Sequence, residues 1–346
     1  MRALVLRGAS ELVVRGDAPD PQPGFGQVLA QVKACGICGS DLHFVQHAAT
    51  MLELMADMEG LPDFGAPPLD LGRDVFMGHE FAAEVLEVGP DTVGPDPGTI
   101  VTSVPIMLTP TGLRDIVYSN DLPAGYGERI LLSAPFVQVV PNGLDPRHAA
   151  LAEPMAVGLH AVNRSGIATG DGAVVLGCGP VGLAVIAALG LRGVEPIVAA
   201  DLSPARRSLA SVMGAHEVVD PVIEPAFDAW KRAGQGRAPV VFEAIGIPGI
   251  IDDALRVAPS QSRIVVVGVC MQPDTVRPFF GISKELSLQF VLGYDPTEFE
   301  ASLRSIAEGE IDVAPLITGE VDLDGAPGAF RELADPERHC KVLVVP

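Results

Sequence analysis

Over residues 1–150, apolar and polar side chains alternate in short runs that Gly and Pro residues separate. A two-residue period is that of a β-strand with one buried face, and Gly and Pro clusters mark the turns between strands. This pattern predicts a β-rich first region. The predicted strands span residues 2–6, 27–34, 84–88, 100–104 and 129–132.

The pattern changes near residue 145, where apolar residues begin to recur at helical spacing. A predicted helix over 146–164 places Ala149, Ala156 and Val162 on one face. Predicted strands then alternate with predicted helices, which is typical of a parallel sheet covered on both faces. The strands span 172–176, 196–200, 239–243 and 262–268, and the helices span 180–191, 204–213 and 250–258.

The last part of the chain returns to a mixed pattern, with a predicted helix over 297–308, then loops, then a final strand over 341–345. A chain of 346 residues is longer than one hydrophobic core usually serves, so two domains are expected. The sequence therefore predicts an α/β protein. An α/β domain is inserted into a β-rich domain before the C-terminal return of that domain.

Composition and charge narrow the class of protein. Hydrophobic residues make up 48% of the chain, with 38 Gly and 31 Pro, which fits short strands and turns better than a coiled coil or a disordered chain. The net charge of −21 would repel nucleic acids and anionic membranes, and no basic cluster longer than a pair offsets it. We expect neither nucleic acid nor a membrane as a partner.

The compartment follows from the N-terminus and the cysteines. The first residues alternate like a strand and lack the apolar core of a signal peptide, and apolar runs such as 184–191 are too short to span a bilayer. We therefore expect a cytoplasmic protein. Of five cysteines only Cys35 and Cys38 lie close together, which argues against a disulfide framework and leaves metal binding or burial as their roles.

A dinucleotide site is predicted where a strand runs into the spacing G-x-G-x-x-G at the start of a helix. Gly177 permits the tight turn, Gly179 lets backbone approach a pyrophosphate, and Gly182 allows close packing of helix and strand. The helix N-terminus presents free N–H groups to phosphate oxygens. The predicted cofactor-binding residues of this loop are Gly177, Gly179, Pro180, Val181 and Gly182.

Asp201 ends the next predicted strand, where a carboxylate can bind a ribose 2′-hydroxyl. Such a carboxylate would repel a 2′-phosphate, so the predicted cofactor is NAD. Arg206 and Arg207 keep NADP as the alternative cofactor, because a nearby arginine can bind the 2′-phosphate. A contact with the adenosine ribose or plain solvation explains them equally well.

Chemically active side chains are densest between Cys35 and His43, where nine residues hold two thiols, a hydroxyl, a carboxylate and an imidazole. Further along the chain stand His79 with Glu80, and Glu153. Cysteine sulfur, histidine nitrogen and carboxylate oxygen suit Zn²⁺. Three protein ligands with one open position describe a catalytic rather than a structural site.

The chain resembles the zinc-containing medium-chain dehydrogenases, nearest the sorbitol and threonine dehydrogenase branches, in segments that occur in the family's order. They are CGICGSDLH at 35–43, GHE at 78–80, AEP at 152–154 and GCGPVG at 177–182. The resemblance covers nearly the whole chain. It implies a GroES-like catalytic domain over 1–153 and 297–346, and a Rossmann NAD-binding domain with a doubly wound parallel sheet over 154–296.

The resemblance also implies an activity and a metal site. The activity is hydride transfer between NAD and a secondary alcohol or polyol, or the corresponding ketone or aldehyde, in a homodimer or homotetramer. Cys38 and His79 would be zinc ligands. Glu153 occupies the position of a cysteine ligand in the alcohol dehydrogenases and of a glutamate in the polyol branch. Glu80 resembles a carboxylate that lies near the metal and can move to coordinate it. Both stay open as the third ligand, and Asp41 resembles the acid that orients the ligand histidine.

Three further residues take roles from the same resemblance. Ser40 and His43 match a relay that carries the substrate's hydroxyl proton through the nicotinamide ribose to solvent, which a hydroxyl leading to an imidazole can do. Lys341 resembles a basic contact to the pyrophosphate. The predicted catalytic residues are Cys38, Ser40, His43, His79, Glu80 and Glu153.

Two departures from the family pattern are visible. Residues 81–124 contain no cysteine, so we expect one catalytic zinc per subunit without the structural zinc of many relatives, and Cys35 fits packing better than ligation. Residues 50–72 are extra length, with a helical stripe followed by a Gly- and Pro-rich return over 61–72. The stripe consists of Met51, Leu52, Leu54, Met55 and Met58. This insertion fits either a helix that covers core or a subunit interface, or a wall or lid over the substrate cleft.

Two other functions fit parts of the sequence. A zinc-free reductase of activated double bonds would share the fold but would have no need of Cys38, His79 and Glu153 together. A protein that binds NAD without turnover would have no need of the pair Ser40 and His43. Tyr126 and the insertion are candidates for the pocket of the substrate alcohol.

Overall fold

The computed structural model describes residues 1–8, 10–59, 68–110 and 112–346. Its N-terminal part is antiparallel. A four-stranded sheet has the order β2-β1-β4-β9. A larger sheet has the order β11-β6-β5-β3-β19-β18, with β10 also paired to β3. Its last two strands, β18 (Ile317–Val321) and β19 (Lys341–Val344), come from the end of the chain and are parallel to each other. A hairpin of β7 and β8 stands beside them. The strands up to residue 139 are β1 (Ala3–Arg7), β2 (Glu11–Arg15), β3 (Gln27–Gly36), β4 (Val75–Met77), β5 (Glu80–Val88), β6 (Ile100–Ser103), β7 (Ile106–Thr109), β8 (Gly112–Asp115), β9 (Tyr118–Ser119), β10 (Arg129–Ser133) and β11 (Val137–Val139).

The second part is a parallel sheet of six strands in the order β14-β13-β12-β15-β16-β17. Every neighbouring pair in it is parallel. Its strands are β12 (Ala173–Leu176), β13 (Ile197–Ala200), β14 (Glu217–Val219), β15 (Val240–Glu243), β16 (Arg263–Val266) and β17 (Ser287–Phe290). Because the strand order reverses beside β12, the crevice outside its carboxyl end is the position where such sheets bind dinucleotides.

Most of the helices cover the parallel sheet or link the two parts, whereas α1 (Gly39–Asp57) and α10 (Ala326–Glu332) pack on the antiparallel region. The helices are α1 (Gly39–Asp57), α2 (Pro146–Ala149), α3 (Ala152–Arg164), α4 (Pro180–Leu191), α5 (Pro204–Val212), α6 (Ala226–Ala233), α7 (Ile250–Val257), α8 (Pro278–Lys284), α9 (Pro296–Ala307) and α10 (Ala326–Glu332). The chain then returns to the antiparallel sheet through β18 (Ile317–Val321) and β19 (Lys341–Val344). Among the helices of the described ranges, none has the length and apolarity that a bilayer crossing requires.

The largest buried cluster joins the two parts of the chain. It contains Ala34 and Val140 from the antiparallel region, Met155 on α3, Val175 on β12 and Phe299 on α9. A cluster that draws on both regions holds them in a fixed relation, so residues contributed by each can form one site.

The α/β class and the parallel sheet predicted from the sequence are confirmed. The predicted helix over 146–164 is two helices, because residues 150 and 151 turn between α2 and α3. The pattern missed the short elements β2, β4, β7, β8, β9, β11, β14, β17, β18, α6, α8 and α10.

The helix predicted from residue 50 is the distal half of α1, which already begins at Gly39 and is kinked at His47. The return predicted over 61–72 falls largely on residues 60–67, which lie outside the described residues. The extra length therefore extends a helix that starts at the predicted metal site.

Candidate metal and nucleotide site

Strand pairing brings the two metal-binding segments together. β3 and β5 are antiparallel, and their register places Gly36 opposite Glu80. Cys38 lies two residues beyond the end of β3, and His79 immediately precedes β5. A side chain at residue 36 would collide with the Glu80 carboxylate, so this close approach requires glycine.

One donor atom from each of Cys38, His79 and Glu80 lies within 4.8 Å of the other two. His79 and Glu80 are buried, and Cys38 is partly buried. Sulfur, imidazole nitrogen and carboxylate oxygen at this spacing are the donor set that Zn²⁺ prefers. The residues present therefore fit a zinc ion bound by three protein ligands.

Asp41 and Tyr126 lie behind the histidine. Asp41 Oδ1 is 3.6 Å from His79 Nδ1, and the Tyr126 hydroxyl donates to Asp41 Oδ2 at 2.6 Å. Burial opposes a charge on His79, but Asp41 and Cys38 outweigh it and raise the pKa of His79 well above its usual value. Asp41 lies where carboxylates behind metal ligands orient an imidazole, but the 3.6 Å distance exceeds that of a hydrogen bond, and neither Asp41 Oδ1 nor His79 Nδ1 has a hydrogen-bond partner among the described residues. Tyr126, a candidate pocket residue from sequence, is fully buried and holds Asp41 in place instead.

Lys341 lies at the metal site, not at the dinucleotide loop. Its ammonium donates to both oxygens of Glu80 at 2.7 Å and to the Ile37 carbonyl at 3.1 Å, with the side chain almost completely buried. These bonds use its three donors, so none is left for a phosphate oxygen. The contact between Lys341 and the pyrophosphate stays a prediction, and in this structure the counter-ion of Lys341 is Glu80.

Glu153 faces the same centre from another element. It lies in the first turn of α3 and is buried, but its carboxylate is not part of the close group of three donor atoms. Burial raises the pKa of Glu153 to about 7, although His79 and Lys341 favour its charged form. The Tyr294 hydroxyl lies beside it. Tyr294 comes from the segment after β17 and belongs to no sequence motif.

The relay candidates lie on the first turns of α1. Ser40 Oγ is 3.4 Å from His79 Nε2, which places this hydroxyl at the centre itself. His43 is half-buried one turn later, and burial, with a smaller effect of His47, lowers its pKa. A neutral imidazole at neutral pH can accept a proton. Tyr118, which the sequence reasoning missed, has a buried hydroxyl close to Ser40.

The glycine loop has the form that the sequence predicts. Gly177 adopts a φ of 91°, and a side chain at Gly182 would collide with the Gly177 carbonyl. Gly179 caps α4, and Pro180, Val181 and Gly182 form the helix's first turn. N–H groups in a first turn have no partner within the helix and can bind phosphate oxygens.

A cavity of about 620 Å³ opens beside this loop, with Gly177, Gly179, Asp201, Ser203 and Arg206 among its lining residues. Asp201 accepts hydrogen bonds from the backbone N–H groups of Cys178 at 2.7 Å and of Ser203 at 2.8 Å. The carboxylate therefore braces the loop, and it retains lone pairs that can accept from a ligand hydroxyl.

The two arginines after Asp201 differ. Arg207 donates to the Asp201 and Leu202 carbonyls and pairs with Asp220 at 3.1 Å. Arg206 lines the cavity, and its buried Nε has no hydrogen-bond partner among the described residues. Of the two, Arg206 is the one placed to contact a bound nucleotide.

Comparison with known proteins agrees with this geometry. Residues 24–134 match the alcohol dehydrogenase GroES-like domain, and residues 180–308 match the zinc-binding dehydrogenase domain. The chain is 32% identical over 341 residues to (R,R)-butanediol dehydrogenase of Bacillus subtilis strain 168, which covers 94% of each chain. It is 26% identical over 364 residues to sorbitol dehydrogenase of the same organism, covering 100% of this chain and 97% of the relative.

A solved structure is similar along the full length. A putative zinc-binding dehydrogenase from Sinorhizobium meliloti 1021, bound to NADP, superimposes with a TM-score of 0.82 at 27% identity, covering 100% of this chain and 99% of the other. Both domain matches and the full-length relatives lead to the same conclusion. The chain belongs to the zinc-containing medium-chain alcohol dehydrogenase family, and it is an oxidoreductase that acts on CH–OH groups.

Proposed function

We propose that this protein is a zinc-dependent dehydrogenase that transfers hydride between NAD and a secondary alcohol or polyol. The observation that carries the proposal is the buried group of Cys38, His79 and Glu80 with Asp41 behind the imidazole. Full-length relatives named as butanediol and sorbitol dehydrogenases support the same reaction class.

We propose Cys38, His79 and Glu80 as the protein ligands of one zinc ion. Lys341 occupies two lone-pair positions of the Glu80 carboxylate, and about two remain, since a carboxylate offers roughly four. Glu153 would then face the open coordination position. Zinc in this position would supply Lewis-acid polarisation of the substrate oxygen.

The protein's own residues would handle the proton and the cofactor. Ser40, beside His79, would accept the hydroxyl proton of the substrate, and His43 would deliver it towards solvent. The glycine loop with Asp201 and Arg206 would hold the dinucleotide, with its pyrophosphate on the N-terminus of α4. We propose that residues 1–153 and 297–346 form the catalytic domain and residues 154–296 the cofactor domain.

We also propose a homodimer or homotetramer formed through the edge of the parallel sheet. β17 pairs only with β16 among the described strands, and Phe290 and Leu292 near it are 66% and 86% exposed. Phe279 and Ile282 on α8 extend this apolar surface. An unpaired apolar edge strand readily pairs with a second copy.

Zinc content and NADH formation test the proposed reaction. The purified protein should contain one zinc per subunit and should reduce NAD with a secondary alcohol from a panel that includes 2-butanol, 2,3-butanediol and sorbitol. Cys38→Ala and His79→Ala should lose both zinc and activity while the far-UV circular dichroism stays that of the wild type. Cys270→Ala, which removes a cysteine outside the group, is the control and should keep both properties.

The same assay separates the two glutamates. Glu80→Gln should lower zinc content more than Glu153→Gln, whereas both should lower kcat. An active protein that holds no zinc, or one with two zinc ions per subunit, would overturn the proposal.

A further inference from the structure

Tyr126 is one of the two largest side chains that the fold buries completely, and it lies behind the metal centre. Its ring belongs to the apolar cluster of the antiparallel region and meets Phe330 of α10 edge-on, with centroids 5.9 Å apart and an interplanar angle of 79°. A buried tyrosine needs a partner for its hydroxyl, since an unpaired polar group in the interior is costly. The contacts of Tyr126 therefore indicate what it does.

The hydroxyl of Tyr126 contacts the segment that carries Cys38. It lies 2.6 Å from Asp41 Oδ2 and 3.1 Å from the Gly36 carbonyl oxygen. A hydroxyl has one proton, and the shorter distance assigns that proton to the carboxylate. Asp41 Oδ2 also accepts from the backbone N–H of Cys38 at 3.2 Å. The hydroxyl thus fixes a carboxylate that is itself bonded to the backbone of a proposed zinc ligand.

The backbone and ring of Tyr126 contact the segment that ends in His79. The N–H of Tyr126 donates to the Met77 carbonyl at 3.1 Å, and the N–H of Gly125 donates to the Gly78 carbonyl at 2.9 Å. A Cβ atom at Gly78 would lie 2.8–2.9 Å from the backbone N and two ring carbons of Tyr126. The residue before His79 therefore packs directly on Tyr126 and cannot move towards it without a collision.

The second oxygen of the Asp41 carboxylate faces the histidine. Oδ1 is 3.6 Å from His79 Nδ1, and neither atom has a hydrogen-bond partner among the described residues. Since Nδ1 faces Asp41, Nε2 is the nitrogen that is left for a metal, and a neutral imidazole that binds metal through Nε2 carries its proton on Nδ1. Tyr126 and Cys38 occupy Oδ2, so Oδ1 is the oxygen that remains for that proton.

We propose that Tyr126 is a positioning residue of the zinc site, which joins the segment of Cys38 to the segment of His79 and sets the separation of the two ligands before metal binds. This inference rests on the proposed zinc site and adds a residue that contacts neither metal nor substrate. Residues that hold metal ligands in place typically contribute about 10–100-fold to metal affinity.

One substitution separates the hydroxyl from the ring. Tyr126→Phe removes the bond to Asp41 and keeps the ring that packs on Gly78. Ser262→Ala is the matched control, because Ser262 is also fully buried and donates its hydroxyl at 2.8 Å to the Pro259 carbonyl, just before β16 in the parallel-sheet region. Each variant loses one hydrogen bond of a buried hydroxyl, so a general loss of stability would appear in both.

The experiment titrates the metal-free full-length protein with Zn²⁺ in competition with a chromophoric chelator, and with Co²⁺ followed by its visible absorption. Tyr126→Phe should raise the dissociation constant for Zn²⁺ by about 10–100-fold, and Ser262→Ala should keep the wild-type constant. The Co²⁺ bands report the arrangement of thiolate and imidazole around the ion. They should therefore change in Tyr126→Phe and stay those of the wild type in Ser262→Ala.

A second substitution tests whether Tyr126 acts through the carboxylate. In an Asp41→Ala background, Tyr126→Phe should weaken Zn²⁺ binding little further, because the acceptor of its hydroxyl is already gone. Two losses in affinity that simply add would contradict the positioning role.

The outcomes distinguish this inference from the proposed reaction. Weaker Zn²⁺ binding and altered Co²⁺ bands in Tyr126→Phe alone support the positioning role even if no alcohol is oxidised, a result that would refute the reaction only. Wild-type affinity in Tyr126→Phe, or equal losses in Tyr126→Phe and Ser262→Ala, would overturn the inference and leave the zinc site and the reaction in place. A wild type that binds neither ion would overturn the proposed zinc site and this inference together.

Discussion

Replacing the buried Lys341 by methionine should destabilise the fold far more than the same replacement of a lysine whose ion pair lies at the surface. Methionine keeps the unbranched apolar stem as far as the ε-carbon but lacks the ammonium. The Glu80 carboxylate and the Ile37 carbonyl therefore lose this donor in a completely buried place. Burial alone would lower the pKa of Lys341, but Glu80 outweighs it and raises the pKa above its usual value, so the ammonium is charged at neutral pH.

The expected magnitude follows from burial. Removing one partner of a buried ion pair costs about 3–5 kcal/mol, because the remaining charge is uncompensated. Lys231 supplies a matched control: its distance to Asp228 is also 2.7 Å, but it is 72% exposed. Lys231→Met should therefore lower the free energy of unfolding by no more than about 0.5 kcal/mol.

Urea denaturation of the zinc-free protein, followed by circular dichroism, measures both variants under the same conditions. The double variant Lys341→Met/Glu80→Gln should recover part of the lost stability, since its remaining groups are neutral. The reasoning fails if Lys341→Met and Lys231→Met shift the urea midpoint equally. It also fails if the losses in free energy of unfolding from Lys341→Met and Glu80→Gln simply add in the double variant, as they would for two independent mutations.

Three further outcomes follow from the candidate site. His43→Gln should slow alcohol oxidation most near neutral pH, by up to about 10²-fold, with partial recovery at high pH. The reason is that the lowered pKa of His43 leaves the native imidazole neutral at neutral pH and able to accept a proton. A variant whose pH–rate profile equals that of the wild type would reject His43 as the relay. Asp201→Ala should reduce the preference for NAD over NADP in kcat/KM, and a native preference for NADP or an unchanged ratio would contradict the assigned role of the carboxylate. Phe290→Glu combined with Leu292→Glu should yield monomers in light scattering, whereas Val93→Glu, at a residue 95% exposed elsewhere, should not; equal behaviour of the two would exclude the β17 edge as the interface.

The sequence predicts four of the six strands of the parallel sheet, β12, β13, β15 and β16, because each of these carries its own local signal. β12 and α4 are found within one residue of the predicted bounds, since a buried apolar strand, three glycines and a proline at the helix start act over short range. β17 was missed because its four residues are largely exposed and have no alternation of buried and exposed positions. The start of α1 was missed as well, since the residues that begin it are also those of the metal motif.

The residues of the candidate site also form two groups, those that a local motif marks and those that only the fold brings together. Motifs indicate which residue types could bind metal and dinucleotide, and their assigned roles stay predictions. Contacts between distant segments carry no such signal: nothing near Lys341 or Glu80 in the sequence announces their pairing, and Tyr118 and Tyr294 belong to no motif. The pairing of β3 with β5 and β19 brings Lys341 to Glu80, whereas Tyr118 comes from β9 and Tyr294 from the segment after β17.

The ion pair between Glu80 and Lys341 also sets an order of events during synthesis, since 261 residues separate the two partners. A ribosome that adds about 5–20 residues per second completes Glu80 roughly 13–50 s before it reaches Lys341. Throughout that interval the Glu80 carboxylate lacks the Lys341 ammonium that neutralises it in the folded interior. The nascent antiparallel region must keep this corner hydrated until the final strand arrives, so the metal centre is one of the last parts of the protein to mature.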